Sequence, residues 1–226
     1  MKEAPEMRDF SEIHAIATAR KGGVDALEAG LTPALTADEL SRIPADRWLA
    51  MMTRCIFQAG FQWRVIEAKW DGFEAAFHGF DVGRCAMMDD DWLDELIADR
   101  RIVRNGPKIR TVRDNAVFLN ALRDRGGPGV VLGGWPATDF IGLLALLKSD
   151  GARLGGMSGQ YAMRFMGRDA FILSRDVTAR LIAEGVIDKP AGSKGSMRAV
   201  QEAFNIWMEQ SGRGLTEISR VLAMSV

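Results

Sequence analysis

The chain has 226 residues, of which 47% are hydrophobic and 26% are charged, and its formal net charge is −1. A chain of this length and composition is long enough to bury a full hydrophobic core. The near-zero net charge excludes a protein that binds nucleic acid over its whole surface, so any cationic interface must be local.

Cysteine and histidine are scarce. Cys55, Cys85, His14 and His78 form neither a CxxC pair nor a zinc-type ligand pattern, so we expect no disulfide framework. The N-terminal residues lack a basic segment followed by an apolar one. Apolar stretches such as residues 140–147 are far shorter than the roughly 20 residues that span a bilayer. These features predict a cytoplasmic protein without a membrane partner.

Helical periodicity dominates the chain. Strand signals are weak, and Val130–Leu132 is the best candidate strand. We predict an all-α protein of about ten helices. It forms a single domain over residues 1–226, with one lobe over residues 36–130 and another over residues 1–35 and 135–226. Eight segments place apolar residues at three- and four-residue spacing: Arg47–Gln58, Gln62–Trp70, Asp91–Ala98, Lys108–Leu122, Asp139–Leu147, Gly159–Met166, Arg198–Met208 and Leu215–Leu222.

Several helix starts carry capping signals. Thr36 is followed three residues later by Glu39, the pattern of a capping box. Pro44 lies at the start of the helix that contains Trp48, and Asp81 is positioned to cap another helix. The glycine-rich residues 126–134 predict a flexible loop or a connection between the lobes.

Charge is segregated along the chain. Residues 67–99 contain ten acidic and two basic side chains, whereas residues 101–125 contain seven basic and two acidic ones. Two interpretations are open: two solvated helix faces that attract each other, or a basic face that binds an anionic partner. The basic side chains of the second interpretation are Arg104, Lys108, Arg110 and Arg113.

Residues 154–159 read LGGMSG and separate two predicted helices. Glycines permit a tight reversal and let another backbone approach closely. The N–H groups at the start of the following helix then form a small anion site that suits one DNA phosphate. Such a turn also serves as a plain helix connection. The candidate phosphate contacts are Gly155, Gly156, Ser158 and Gly159.

The order of features after this turn resembles the helix-hairpin-helix DNA glycosylases. The second helix is followed by the apolar stretch DAFILSRDV, residues 169–177. In that superfamily a carboxylate opens the next helix and assists loss of the base. Asp176 is the candidate catalytic residue, although an ungapped alignment on Val177 places Ser174 there instead. Either residue also qualifies as a simple helix cap.

A second set of motifs resembles the DNA-3-methyladenine glycosylase I family. Gln58–Trp63 reads QAGFQW and Phe77–Asp81 reads FHGFD, similar to the family's QAGLSW-type and FHxFDP-type motifs, with Val82 in place of the proline. Residues 101–109, followed by Asn115 and Ala116, are similar to its IIRxxxKI…NA run. The resemblance implies an all-helical bundle of two lobes around a cleft that accepts a flipped base.

The resemblance also implies site residues. Trp63 and Gln58 line the base pocket, where an aromatic face attracts a cationic methylated base; Trp63 also fits a packed core position. Lys108 and Arg110 add contacts to the DNA backbone. The other pocket candidates are Cys55, Phe57 and Tyr161.

Two departures from the family affect the expected chemistry. Cys55 stands where the family has a glutamate that reads the damaged base, and it fits a small buried residue better than a reactive thiol. The family's zinc ligands have no counterparts, and residues 189–226 contain neither cysteine nor histidine. We therefore expect neither a metal nor another cofactor.

The leading hypothesis is a monomeric base-excision enzyme that flips alkylated, 3-methyladenine-like bases out of double-stranded DNA and hydrolyses their N-glycosidic bond. The alternative is a non-catalytic DNA-binding protein whose glycosylase pocket has drifted. A third possibility is a protein adaptor that uses an exposed apolar patch around Trp207 and Ile218, although these residues also fit a core. The sequence contains no P-loop, HExxH or GxSxG motif.

Overall fold

The computed structural model describes residues 7–226 and contains only helices, turns and loops over that range. The prediction of an all-α protein is confirmed. Residues 1–6, part of the stretch examined for a leader segment, lie outside the described range. Over residues 7–226, every helix is too short or too polar to cross a membrane.

The chain divides into two compact units. The first comprises residues 7–35, Pro136–Gly142 and Asp169–Val226, and the second comprises Thr36–Trp135 and Leu143–Arg168. The predicted lobes placed residues 143–168 with the C-terminal part instead. They belong to the second unit because the helix Met157–Phe165 packs against the helix Ala45–Gln58.

The described range contains fourteen α-helices rather than about ten. Helices of the first unit are α1 (Phe10–Lys21), α2 (Val24–Glu28), α12 (Arg175–Ala183), α13 (Lys194–Ser211) and α14 (Leu215–Met224). Those of the second unit are α3 (Ala37–Ser41), α4 (Ala45–Gln58), α5 (Trp63–Ala68), α6 (Trp70–Ala76), α7 (Val82–Ala86), α8 (Asp90–Ala98), α9 (Gly106–Ala121) and α11 (Met157–Phe165). Helix α10 (Phe140–Ser149) has residues in both.

The larger helix count arises from short helices. The predicted helix Gln62–Trp70 is divided at Lys69, whose φ of −105° and ψ of 3° interrupt the helical geometry between α5 and α6. Helices α2, α3 and α7 have five residues each, too few to show a periodic apolar face.

Val130–Leu132 is not a strand. Residues Gly129–Gly133 form a π-helical turn that packs against α3. A Cβ atom on Gly129 would lie 2.4 Å from the Leu40 carbonyl oxygen, and one on Gly133 would lie 2.8 Å from the Leu40 Cβ. The glycines therefore permit close packing against α3, and this part of the predicted loop is ordered helical structure.

The predicted helix starts are confirmed. The Thr36 hydroxyl accepts a hydrogen bond from the Glu39 amide, and the Glu39 carboxylate accepts one from the Thr36 amide. The Asp81 carboxylate accepts a hydrogen bond of 2.7 Å from the Arg84 amide at the start of α7. Pro44 directly precedes α4.

The core of the first unit is aromatic. Phe171 packs edge-on against Phe140 at 4.9 Å and contacts Phe204 at 4.7 Å between ring centroids. Trp207 and Ile218 are fully buried. These residues therefore form a core and do not provide the exposed patch of the adaptor hypothesis.

The extended segment before α12 runs along α14. The Ala170 amide donates to the Thr216 hydroxyl at 3.0 Å, and the Ile172 amide donates to the Ser219 hydroxyl at 3.1 Å. The Asp169 carboxylate accepts hydrogen bonds from the Leu215 and Thr216 amides at 2.9 and 2.8 Å. These bonds satisfy orphan amides at the start of α14 and fix where α12 begins.

Asp169→Ala removes this cap and should lower the free energy of unfolding by about 1–2 kcal/mol, as expected when a helix start loses its acceptor. Urea unfolding at neutral pH measures the loss. Asp94→Ala is the control, because Asp94 is exposed on α8. Equal stability losses in the two variants would contradict the capping role of Asp169.

Candidate functional site

The glycine turn before α11 lies at the surface. Gly155 and Gly156 are exposed, and Gly156 has a φ of 74°, which favours glycine. Helix α11 starts at Met157 without a side-chain cap, so its first amides have no partner within the helix. Gly159 is buried, and a Cβ there would lie 2.2 Å from the Leu154 carbonyl oxygen. The turn thus needs glycine for packing at one end and presents backbone amides at the other.

Asn115 of α9 holds the chain that leads into this turn. Its side chain is fully buried. Its Oδ1 accepts a hydrogen bond of 2.8 Å from the Ala152 amide, and its Nδ2 donates one of 3.1 Å to the Ala152 carbonyl. Asn115 therefore fixes the backbone three residues before Gly155. The resemblance to the IIRxxxKI…NA run includes Asn115 but does not predict its contact with Ala152.

Two cations near the turn were missed by the sequence analysis. Lys148 is exposed, and its Cγ lies 3.2 Å from the position that a Cβ on Gly155 would occupy. Arg153 is exposed and has a φ of 58°, an uncommon value for a residue with a side chain. Both lie outside the basic stretch of residues 101–125.

An aromatic cluster forms around Trp63. The Trp63 side chain is 45% exposed. Tyr161 and Phe165 of α11 pack nearly perpendicular to its ring, at centroid distances of 5.6 and 6.0 Å. Trp63 is therefore a surface aromatic residue rather than a core residue. Phe165, 42% exposed, was missed, although its four-residue spacing from Tyr161 indicates a shared helix face.

Lys108 is not a surface contact for DNA. Only 6% of the residue is exposed, and its ammonium donates to the Phe57 and Ala59 carbonyls at 3.2 and 2.5 Å. It also lies 4.6 Å from the centroid of the Phe61 ring. Burial, and then repulsion from Arg153, lowers the pKa of Lys108. The predicted DNA contact of Lys108 is wrong because this lysine, although part of the basic stretch, caps the C-terminal end of α4.

The predicted pocket residues of α4 are buried. Phe57 is a core residue packed edge-on against Phe73 at 4.8 Å, which corrects its assignment to the base pocket. Cys55 is 4% exposed. Burial raises the pKa of the Cys55 thiol to about 12, so the thiol is neutral near pH 7 and inert as a nucleophile.

Gln58 is also buried, but its amide has a specific partner. Its Nε2 donates to Oε1 of Glu67 at 3.0 Å. Its own Oε1 is buried and has no hydrogen-bond partner within the described residues. A buried acceptor without a partner costs about 1–3 kcal/mol. The hydrogen bond to Glu67 therefore holds the amide in an orientation that leaves its oxygen unpaired.

Ser174 and Asp176 have different environments at the start of α12. The Ser174 hydroxyl accepts a hydrogen bond of 3.3 Å from the Val177 amide, which makes Ser174 the helix cap. Asp176 occupies the second helical position and is exposed. The Asp176 carboxylate makes no hydrogen bond or ion pair within residues 7–226. Arg110 of α9 is likewise exposed.

The described residues do not fit a zinc site. Across residues 7–226, His, Cys, Asp and Glu side chains form no group of three or more that could hold a metal ion. Both cysteines are buried as free thiols. We therefore assign no step to a metal.

Part of the chain is similar to known proteins. Residues 44–128 match the sequence model of the methyladenine glycosylase family. Over 73 residues the chain is 32% identical to DNA-3-methyladenine glycosylase 1 of Escherichia coli strain K12, which covers 32% of this chain and 39% of that relative. Over these residues the chain is similar to the DNA-3-methyladenine glycosylase I family.

The similarity is limited in extent. The matched segment spans about two fifths of the length of the E. coli relative. The crystal structure of 3-methyladenine DNA glycosylase I (TAG) is 22% identical and has a TM-score of 0.47, covering 61% of this chain and 82% of that chain.

The burial of the two thiols is directly testable. Cys55 and Cys85 are both buried, and burial raises the pKa of each to about 12. Because the thiolate is the reactive form, the native protein should not react with a thiol reagent at pH 8, whereas the unfolded protein should react at both cysteines. Mass spectrometry counts the modified residues, and rapid native labelling of either cysteine would disprove its burial.

Asn115→Ala should lower the free energy of unfolding by about 1–3 kcal/mol, because it leaves the Ala152 amide and carbonyl unpaired. Guanidinium unfolding measures the change. Asn120→Ala is the matched control, since Asn120 lies on the same helix and is exposed. A loss of unfolding free energy no larger than that of the control would contradict the role of Asn115 in holding the Ala152 backbone.

Proposed function

We propose that this protein is a DNA glycosylase that flips alkylated, 3-methyladenine-like bases out of duplex DNA and hydrolyses their N-glycosidic bond. The observation that carries the proposal is that α11 combines two structural features. This one helix has the exposed glycine turn at its start and contributes Tyr161 and Phe165, which flank Trp63. A site for a phosphate and a platform for a base thus belong to one rigid element.

The proposed phosphate site uses backbone amides. The uncapped first turn of α11 offers N–H groups that point out of the helix, and the helix dipole favours an anion there. Gly155 and Gly156 let a sugar-phosphate strand approach without steric conflict. Lys148 and Arg153 supply positive charge beside the turn. The exposed Arg110 of α9 is a further proposed contact to the DNA backbone. These are contacts that position DNA without reading its sequence.

The proposed base site uses the aromatic cluster. Tyr161 lies five residues after Gly156 on α11, about 7.5 Å along the helix axis. Stacking a base on an aromatic ring contributes about 1–3 kcal/mol, which offsets the few kcal/mol that removing a base from the duplex costs. A cationic methylated base gains further from the electron-rich face of the Trp63 indole.

Asp176 is the proposed catalytic residue. Since Ser174 is engaged as the helix cap, Asp176 is the available side chain at the start of α12. In the proposed mechanism its carboxylate stabilises positive charge that develops on the sugar, or orients the attacking water, as carboxylates do in sugar hydrolysis. A base that already carries positive charge needs little acid catalysis to leave.

The neutral Cys55 thiol favours a second candidate function, a DNA-binding protein without base-release activity. In that case the glycine turn and the cations still bind duplex DNA, and binding weakens with salt. Replacing Asp176 would then change neither binding nor any other activity.

The test is release of 3-methyladenine from methylated duplex DNA, measured under single-turnover conditions at low salt. Wild type should release the base, and Asp176→Asn should release it about a hundredfold more slowly, the loss typical of a positioned catalytic carboxylate. Asp91→Asn is the matched control, because Asp91 is exposed at the second position of α8.

Three outcomes separate the candidate functions. Release by wild type that Asp176→Asn slows about a hundredfold supports the proposed enzyme, whereas equal release by both proteins overturns the catalytic role of Asp176. Duplex binding without release by wild type supports the non-catalytic alternative. Failure to bind duplex DNA at low salt overturns both.

A further inference from the structure

Helix α5 carries a carboxylate one helical turn from the aromatic cluster. Trp63 is the first residue of α5 and Glu67 the fifth. Residues four apart lie on the same face of a helix. Glu67 is exposed, and within residues 7–226 it forms no ion pair. The carboxylate is therefore accessible on the side of α5 that presents Trp63.

A buried amide fixes this carboxylate. Nε2 of Gln58 donates to Oε1 of Glu67 at 3.0 Å. Turning the amide over would place its oxygen against the carboxylate, so the orientation is determined even though the Gln58 Oε1 remains without a partner. Gln58 is the last residue of α4, where Lys108 binds the neighbouring Phe57 and Ala59 carbonyls. The donor is thus held by the core, and one oxygen of Glu67 stays available.

Other groups close to this region do not offer the same charge. Both oxygens of Glu74 are bound by Arg47, at 2.9 and 3.1 Å, and one also accepts from the Trp70 indole at 3.0 Å. Cys55 is buried and neutral at pH 7. Glu67 differs from both in being exposed and, within residues 7–226, in having no ion pair.

We propose that Glu67 determines specificity by selecting a positively charged base over a neutral one beside Trp63, and that Gln58 is its positioning residue. This inference rests on the proposed function. A carboxylate close to the base attracts a cation and gains a charge-assisted hydrogen bond from an exocyclic N–H group. A neutral base of the same shape offers no compensation for removing water from the carboxylate.

The test compares two duplexes that differ in the charge of one base. One contains 3-methyladenine on a 2′-fluoro sugar, which resists base loss. The other contains 3-methyl-3-deazaadenine on the same 2′-fluoro sugar, and this base has the same shape but no positive charge. Wild type should bind the cationic duplex about tenfold more tightly than the neutral one, the ratio expected for one hydrogen bond to a charged group.

Glu67→Gln should reduce this preference to near unity, because a glutamine amide has no charge with which to distinguish the two bases. Gln58→Leu should reduce the preference in the same direction by releasing the carboxylate. Glu95→Gln is the matched control, because Glu95 is an exposed glutamate of α8. Thermal unfolding checks that each variant is folded.

The outcomes distinguish this inference from the proposed function. A preference that survives Glu67→Gln, or a wild type that binds both duplexes equally, overturns the role of Glu67 whether or not the protein releases bases. If wild type releases no base but shows a charge preference that depends on Glu67, the proposed enzyme activity is overturned. The proposed role of Glu67 in selecting a charged base is then supported.

Discussion

The ammonium group of Lys108 organises the candidate site. It is buried at the C-terminal end of α4, where the Phe57 and Ala59 carbonyls and the Phe61 ring replace the water that it loses. A buried charge is tolerated only when its hydrogen bonds are satisfied. The hydrogen bonds from Lys108 therefore constrain the backbone at the end of α4. The path of that backbone determines where α5 begins and where Trp63 lies. Replacing this lysine with a neutral residue would leave helix-end carbonyls unpaired.

The helices that carry the site follow from sequence periodicity, but several side-chain environments do not. The predicted segments Arg47–Gln58 and Lys108–Leu122 agree with α4 and α9 to within about two residues at each end. The exposure of Trp63 and the burial of Lys108 were not predictable in this way. Both depend on which helix packs against which, and local spacing contains no information about that.

The segment after α6 shows a second reason why sequence was insufficient. His78, Gly79 and Phe80 are consecutive residues with positive φ, at 52°, 68° and 61°. This conformation costs roughly 1–2 kcal/mol for each residue with a side chain. Stacking of the fully buried Phe80 on Phe77 and Trp70, at 5.3 and 5.5 Å, offsets that cost. A motif match predicted the aromatic residues but not the left-handed turn that their packing stabilises.

The number of basic residues in the sequence overstates the basic surface that is accessible to an anionic partner. Within the basic stretch, Lys108 is buried, and Arg113 binds the Met88 carbonyl and lies 3.6 Å from Asp114. Two cations beside the glycine turn lie outside that stretch. Because a phosphate is held by a few positioned donors rather than by net charge, a net charge of −1 is compatible with the proposed phosphate site at the start of α11. The relevant quantity is the arrangement of backbone amides and cations around α11, which a count of charged residues does not measure.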